Sequence, residues 1–202
     1  MGGSALKIRF VFLLLCLTYF SQAGAAVVDH NNITASTSLI ASPSLVPGDF
    51  WTVDELADGI TDDFHPYFGF VSAVTSGTIS LDLDATYDLD SFTLWNDVFV
   101  GAQGVRDFRL EFFDVADGAL GQTMTFTAVS QLAGQTFAFD KVFSVASVDL
   151  VVLTAAAQIE IRELAFNGEL SGNASSNSVP MPASIWLFAM GLLVYRRLFA
   201  CR

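Results

Sequence analysis

Apolar and polar residues alternate with a period of two through most of the central part of this chain. Successive side chains of a β-strand point to opposite faces, so this alternation places one face of each strand in a core and the other in water. The apolar positions of the clearest runs are Ile79, Leu81 and Leu83, then Phe108, Leu110 and Phe112, then Met124, Phe126 and Ala128, then Val148, Leu150 and Val152, and finally Ile159 and Ile161. Turn-forming residues separate the runs. The pattern predicts an all-β fold, an antiparallel β-sandwich over residues 27–170, with one short helical turn at residues 53–57.

The two ends of the chain differ from this middle region. Lys7 and Arg9 precede an apolar stretch at residues 10–20, and small residues follow, which is the layout of a secretory signal peptide over residues 1–25. Residues 171–178 are small and polar and predict a flexible linker. A second apolar run, residues 183–195, is shorter than the roughly 20 residues that a membrane-spanning helix needs. The sandwich is therefore expected to be flanked by an N-terminal signal helix and a short C-terminal hydrophobic helix.

Residues 179–202 combine a proline motif, the apolar run and a basic pair. The motif residues are Val179, Pro180, Met181, Pro182 and Ala183, and the basic pair is Arg196 and Arg197. This order resembles the PEP-CTERM sorting signal, particularly its Val-Pro-Leu-Pro-Ala variant, with Met in place of Leu. The resemblance implies Sec-dependent export, cleavage by signal peptidase, and recognition of the tail by an exosortase-type membrane protease. The chain would be held transiently at the inner membrane and then reach the cell surface or the extracellular space. A plain C-terminal anchor that tethers a periplasmic domain is the alternative.

Charge and cysteine content limit what the middle region does. Between residues 27 and 178 the chain carries 21 acidic and four basic residues, a net charge of −17. Nucleic acid is not expected as a partner, because binding it requires a basic surface. Cys16 and Cys201 both lie in the terminal segments, so the domain would have neither a disulfide nor a cysteine metal site. No catalytic residue is predicted, although a carboxylate pair for glycoside hydrolysis stays open.

Several segments of the middle region carry a second resemblance, over residues 36–170. They are the Asp58-Gly59 loop, the strands at residues 79–84, 89–96 and 109–114, and a last strand at residues 159–164 that contains Glu163. Their order resembles the discoidin or F5/8 type C domain, a galactose-binding-like jelly roll. The sequence departs from that family after the loop, where Asp63, Phe64 and His65 replace a Thr-x-Trp motif.

The discoidin resemblance implies one metal site. The only cofactor it suggests is a structural calcium ion, bound by Asp58, Asp63 and Glu163, with Thr61 or Asp62 as further ligands. Calcium takes six to eight oxygen ligands, which a loop dense in carboxylates can supply. The alternative is that these residues only form a solvated turn. A second acidic group, Asp82, Asp84, Asp88 and Asp90, lacks the glycine and glutamate of an EF-hand, and strand alternation with a hairpin turn at residues 85–88 explains it better.

Aromatic residues directly after the Asp-Gly loop indicate a binding surface. Tyr67 and Phe68 are the candidate glycan-binding residues, and Trp51, Trp95 and Phe99 are expected near the same end of the sandwich. Sugar rings stack on aromatic faces, although aromatics also fill cores. The function expected is that of a non-catalytic structural or carbohydrate-binding component of an exopolysaccharide or biofilm matrix. The alternatives are a membrane-tethered periplasmic domain and a polysaccharide-active hydrolase.

Overall fold

The computed structural model describes residues 26–44, 48, 50–62, 68–96 and 103–172. The strands are β1 (Ala26–Val27), β2 (Ile33–Thr37), β3 (Phe70–Ser72), β4 (Gly77–Asn96), β5 (Val105–Phe113), β6 (Ala119–Gln122), β7 (Phe126–Thr127), β8 (Gln135–Ala155) and β9 (Ile159–Leu170). Two short 3₁₀ helices span His30–Asn32 and Val53–Ala57, the second where a helical turn is predicted. The predicted signal helix and the sorting tail lie outside the described residues. No helix among the described residues is long and apolar enough to cross a membrane.

The nine strands form one hydrogen-bonded sheet that folds back on itself into two packed layers. One layer contains β2, the first part of β4 (residues 77–82), the second part of β8 (residues 147–152), β5, and the short β6 and β7. The other contains the first part of β8 (residues 135–142), the second part of β4 (residues 87–96), and β9 with β1 and β3 on its far side. The predicted antiparallel sandwich is confirmed.

The hairpin turn predicted at residues 85–88 is wrong, because β4 continues through this region. Shifts in its pairing with β8 between residues 82 and 89 let the strand bend from one layer into the other, as β-bulges do. At the bend Asp88 is buried, and its Oδ1 accepts hydrogen bonds from the Ser144 amide, at 3.0 Å, and from the Ser171 hydroxyl. One acidic residue of the Asp82–Asp90 group therefore joins β4 to the bend of β8 and the end of β9.

Phenylalanine side chains from both layers meet in the core. The Phe108 ring of β5 lies 5.7 Å from that of Phe92 on β4 and 5.0 Å from that of Phe137 on β8, both in edge-to-face geometry. The rings of Phe112 and Phe139 also meet across the layers, at 5.2 Å and with a tilt of 44°. The predicted core positions of β4, β5, the second part of β8 and β9 are buried: Ile79, Leu81, Leu83, Phe108, Leu110, Phe112, Val148, Leu150, Val152, Ile159 and Ile161.

The predicted strand through Met124, Phe126 and Ala128 is only partly correct. Ala128 is buried, but Met124 is 84% exposed and β7 contains two residues only. The physical reason is a local hydrogen bond, since the Thr123 hydroxyl accepts from the Leu110 amide at 3.0 Å. That bond occupies a donor that strand pairing would need and interrupts the edge between β6 and β7.

Candidate functional site

One end of the sandwich brings together the loops at residues 50–62, 129–134 and 155–158 with Asn96 and residues 103–105, and we call it the loop end. Here the Asp58-Gly59 turn lies against Glu163 of β9, with the Gly59 amide donating to Glu163 Oε2 at 3.2 Å. The turn follows the Val53–Ala57 helix, which is anchored by the fully buried Leu56. The structure therefore brings together two of the three predicted calcium ligands. Asp63 lies outside the described residues.

Gly59 permits the close approach of this turn to the first helix. Its φ of +83° is in the left-handed region, which glycine adopts at little cost. A Cβ at this position would also lie 3.1 Å from the imidazole ring of His30, closer than such contacts normally are. A residue with a side chain would therefore strain the backbone and displace His30.

The carboxyl group of Glu163 has an unusual environment for an acid. Burial, together with the hydrogen bond and negative charge of Asp58, raises its pKa from 4.5 to about 9, against the opposite effect of the hydrogen bonds from the Gly59 and Asp58 amides. Without a cation, Glu163 is therefore protonated at neutral pH and shares its proton with Asp58. No group of three or more His, Cys, Asp or Glu side chains in the described part of the chain is arranged to hold a metal ion.

Arg162, next to Glu163, is 3% exposed although the strand pattern places it in water. Its guanidinium group donates to three carbonyl oxygens from three segments: Asn96 at 3.3 Å, Thr61 at 2.6 Å, and Leu132. These carbonyls belong to the end of β4, to the loop before β3 and to the loop between β7 and β8. Arg162 is thus used internally to connect the loops of the loop end.

A pocket of about 360 Å³ opens beside Glu163. Its lining includes the Trp95 indole, the His30 imidazole and Thr61. Trp95 is half-buried and packs on Gly134, where a Cβ would lie 2.6 Å from the indole. The pocket therefore presents an aromatic ring, an imidazole and a carboxyl group to a ligand, and it includes the tryptophan that the sequence places at this end.

An aromatic pair lies nearby, before β3. The rings of Phe50 and Phe68 stack with centroids 5.7 Å apart and an interplanar angle of 13°, and Phe50 is 52% exposed. Backbone pairing between the same two residues fixes their approach. Phe68 was predicted from the sequence, whereas Phe50 was missed because it is distant in sequence from the aromatic loop. Tyr67 lies outside the described residues.

Asn96, at the end of β4, is a polar residue of the loop end whose side chain binds within the domain. It is buried, and its side-chain amide donates to the Val105 carbonyl and accepts from the Val105 amide, both at 2.9 Å. These two hydrogen bonds to the start of β5 close the base of the loop between β4 and β5. Asn96 therefore has a structural role and is not free to contact a ligand.

Comparison with known proteins identifies the fold. No family model and no curated protein matches the sequence. Among solved structures, CpGH89CBM32-5 from Clostridium perfringens, in complex with GalNAc-β-1,3-galactose, matches with a TM-score of 0.59 and 14% identity, covering 70% of this chain and 99% of that one. The sandwich is a discoidin-like jelly roll. The C-terminal domain of a Bacteroides fragilis chitobiase matches this jelly roll with a TM-score of 0.57 and 14% identity, covering 72% and 99% of the two chains. An F5/8 type C domain from the same organism matches with a TM-score of 0.56 and 11% identity, covering 73% and 99%.

Proposed function

We propose that the jelly roll is a non-catalytic carbohydrate-binding domain that binds glycans at its loop end. The observation that carries this proposal is the Phe50–Phe68 stack, whose Phe50 ring is 52% exposed and which precedes β3 on the same end of β9 that carries Glu163. Flat aromatic faces bind the apolar face of a sugar ring, and polar groups at the pocket orient its hydroxyls. Solved structures with the same fold include a module bound to GalNAc-β-1,3-galactose and a module bound to galactose. Galactose-containing glycans are therefore the first ligands to test.

The test compares two exposed phenylalanines at opposite ends of the domain. Phe50→Ala removes the outer ring of the stack, and Phe143→Ala removes a 62% exposed ring far from the loop end. Losing one ring contact is expected to weaken retention on galactose-containing polysaccharide about tenfold for Phe50→Ala. Phe143→Ala is expected to bind like the wild type. Equal retention of both variants, measured by affinity electrophoresis, would contradict the proposed surface, and release of reducing sugar would contradict a purely binding role.

We propose further that the chain is exported and processed at its C-terminus for the cell surface, where it contributes to an exopolysaccharide or biofilm matrix. The support is the sequence of residues 179–202, with its proline motif, short apolar run and arginines. The mass of the mature chain, in cells with and without the exosortase-type protease, tests this. A product ending near Pro182 only when the protease is present is expected. A chain that keeps Arg202 in both strains would instead indicate a membrane-tethered periplasmic domain.

We also propose a structural calcium ion at Asp58 and Glu163. The carboxyl groups of Asp58 and Glu163 are adjacent, and that of Glu163 is buried. Their oxygens are hard donors that suit this ion. Calcium would replace the shared proton and hold the Asp58-Gly59 turn on β9. We expect millimolar calcium to raise the melting temperature of the wild type by about 5 °C relative to chelator. Glu163→Gln should lose this increase, and Glu111→Gln, on the surface of β5, should keep it.

A further inference from the structure

An apolar groove runs along the open side of the sandwich, away from the loop end. It has a volume of about 880 Å³ and lies between β6 and the first part of β8. Phe112 and Phe139 form its floor, and Leu120, Met124 and Phe143 form its rim, the last two 84% and 62% exposed. Large exposed apolar surfaces of this kind are uncommon on a domain that has no partner. The groove is therefore a candidate docking surface.

The described chain ends next to this groove. Lys141, which lines the groove, forms an ion pair with Glu169 near the end of β9, at 2.8 Å. The following turn is also attached, because Ser171 and the Ser144 amide bind the same carboxylate, Asp88. Gly172, the last described residue, therefore lies within a few residues of the groove rim.

We propose that the apolar segment Ile185–Tyr195 of the same chain binds in this groove. The segment contains three aromatic residues, Trp186, Phe188 and Tyr195, and several aliphatic side chains that match a groove lined by phenylalanine, leucine and methionine. It is shorter than a helix that spans a bilayer, so in water its apolar side chains require another surface to bury them. The proposal depends neither on glycan binding nor on proteolytic sorting.

The connecting segment has suitable length and composition. Twelve residues, 173–184, separate Gly172 from Ile185, and asparagine and serine predominate at their start. A chain of this length and composition reaches roughly 20 Å. Its effective concentration at the groove is in the millimolar range, so a contact with a dissociation constant of ~1 mM would be about half occupied within one chain. The same contact between separate chains at ~10 μM would be about 1% occupied, which favours the chain's own segment over a second copy.

Charge complementarity also favours binding of the chain's own segment in the groove. The apolar segment is followed directly by Arg196 and Arg197. The groove rim and the adjacent end of the sandwich carry Asp140 and Glu169, and the hydrogen bond to Glu169 and the negative charges of Glu169, Asp90 and Asp88 raise the pKa of Lys141. Two arginines that leave the groove at this end would meet an acidic surface.

Trp186 provides the measurement. In the exported full chain that retains residues 173–202, without detergent or lipid, the difference in fluorescence between wild type and Trp186→Phe isolates this indole. We expect blue-shifted emission and protection from acrylamide that are independent of protein concentration. Met124→Glu and Phe143→Glu place charge on the exposed rim and should abolish the protection. Val115→Glu, at a 79% exposed position outside the groove lining, should not.

Other outcomes would overturn the proposal. A Trp186 indole that is solvent-exposed in the wild type would show that the segment does not bind in the groove. Protection that neither rim substitution reduces would show that the segment is buried elsewhere. Protection that rises with concentration indicates a second copy. A cross-link keeps the test independent of fluorescence: with both native cysteines replaced by serine, Phe143→Cys and Ala189→Cys should give an oxidised monomer. Exclusively dimeric product, or none, would contradict binding within one chain.

Discussion

Strands β5 and β9 have the same alternation of apolar and charged residues, but their charged residues occupy different environments. On β5, Arg109 donates to Glu111 at 2.9 and 2.7 Å, and both side chains remain about one-third exposed. On β9, Arg162 and Glu163 are each 3% exposed. The first pair is a solvated ion pair on a strand surface. Arg162 instead binds loop backbone, and Glu163 binds a loop carboxyl group.

The difference arises from what covers the outer face of each strand. Nothing in the described chain packs over the Arg109–Glu111 face closely enough to bury it. The Val53–Ala57 helix with its following turn and the loop that contains Leu132 fold over the start of β9. An outward-facing charge that is covered in this way must find internal partners, since burying it without them is costly. Charged residues under the loops are therefore structural, and they position the candidate site.

The largest effect is expected from removing the buried guanidinium. Arg162→Met removes a buried guanidinium group, leaves three carbonyl oxygens without their donor and is expected to lower the free energy of unfolding by about 4 kcal/mol. Arg109→Met removes an exposed ion pair and is expected to cost about 0.5 kcal/mol or less. Urea unfolding of the two variants measures both values. Similar losses would show that the loops do not bury Arg162 as described.

The turn that covers β9 is expected to be sensitive to a smaller change. Gly59→Ala adds a Cβ where φ is positive and where the His30 ring is 3.1 Å away, and we expect a loss of about 2 kcal/mol. Gly172→Ala is the matched control, because φ there is +87° but nothing lies within 4 Å of the added atom. It should cost about 1 kcal/mol. A control loss as large as that of Gly59→Ala would mean that contact with His30 is unimportant.

The pH dependence of stability sharpens the comparison between Glu163 and Glu111. The pKa of Glu163 is about 9 in the folded chain against 4.5 without the fold, so the folded state binds more protons between these values. By linkage, the free energy of unfolding in calcium-free buffer falls as pH rises through this range, by up to about 1.4 kcal/mol per unit. Glu163→Gln should reduce this fall and be more stable than wild type at pH 8, by about 1 to 2 kcal/mol. Glu111→Gln should leave the slope unchanged, and a wild-type slope near zero would contradict a buried neutral Glu163.

The distinction between strand faces that loops cover and faces that they leave exposed also explains how much of the site the sequence predicts. Asp58 and Glu163 were paired from their resemblance to discoidin motifs, and the structure places them together, although calcium itself stays a prediction. Phe68 was predicted from a local aromatic cluster. Phe50 and the internal use of Arg162 were not, because both depend on contacts between segments far apart in the chain. The misplaced hairpin in β4 has a related cause, since a strand that bends between layers and a strand that turns back contain similar polar residues.

The sequence by itself determined the sandwich and most of its core, because a period of two assigns one face of each strand to the interior whatever the connections are. The tertiary structure alone decided which outer faces are covered, where β4 and β8 cross between layers, and which polar side chains bind internally. Those features depend on the path of the loops over the strands, and loop paths are set by long-range packing rather than by local pattern. The groove beside the end of β9 follows for the same reason, since only the folded chain brings Lys141 and the following bend of β8 next to the end of β9.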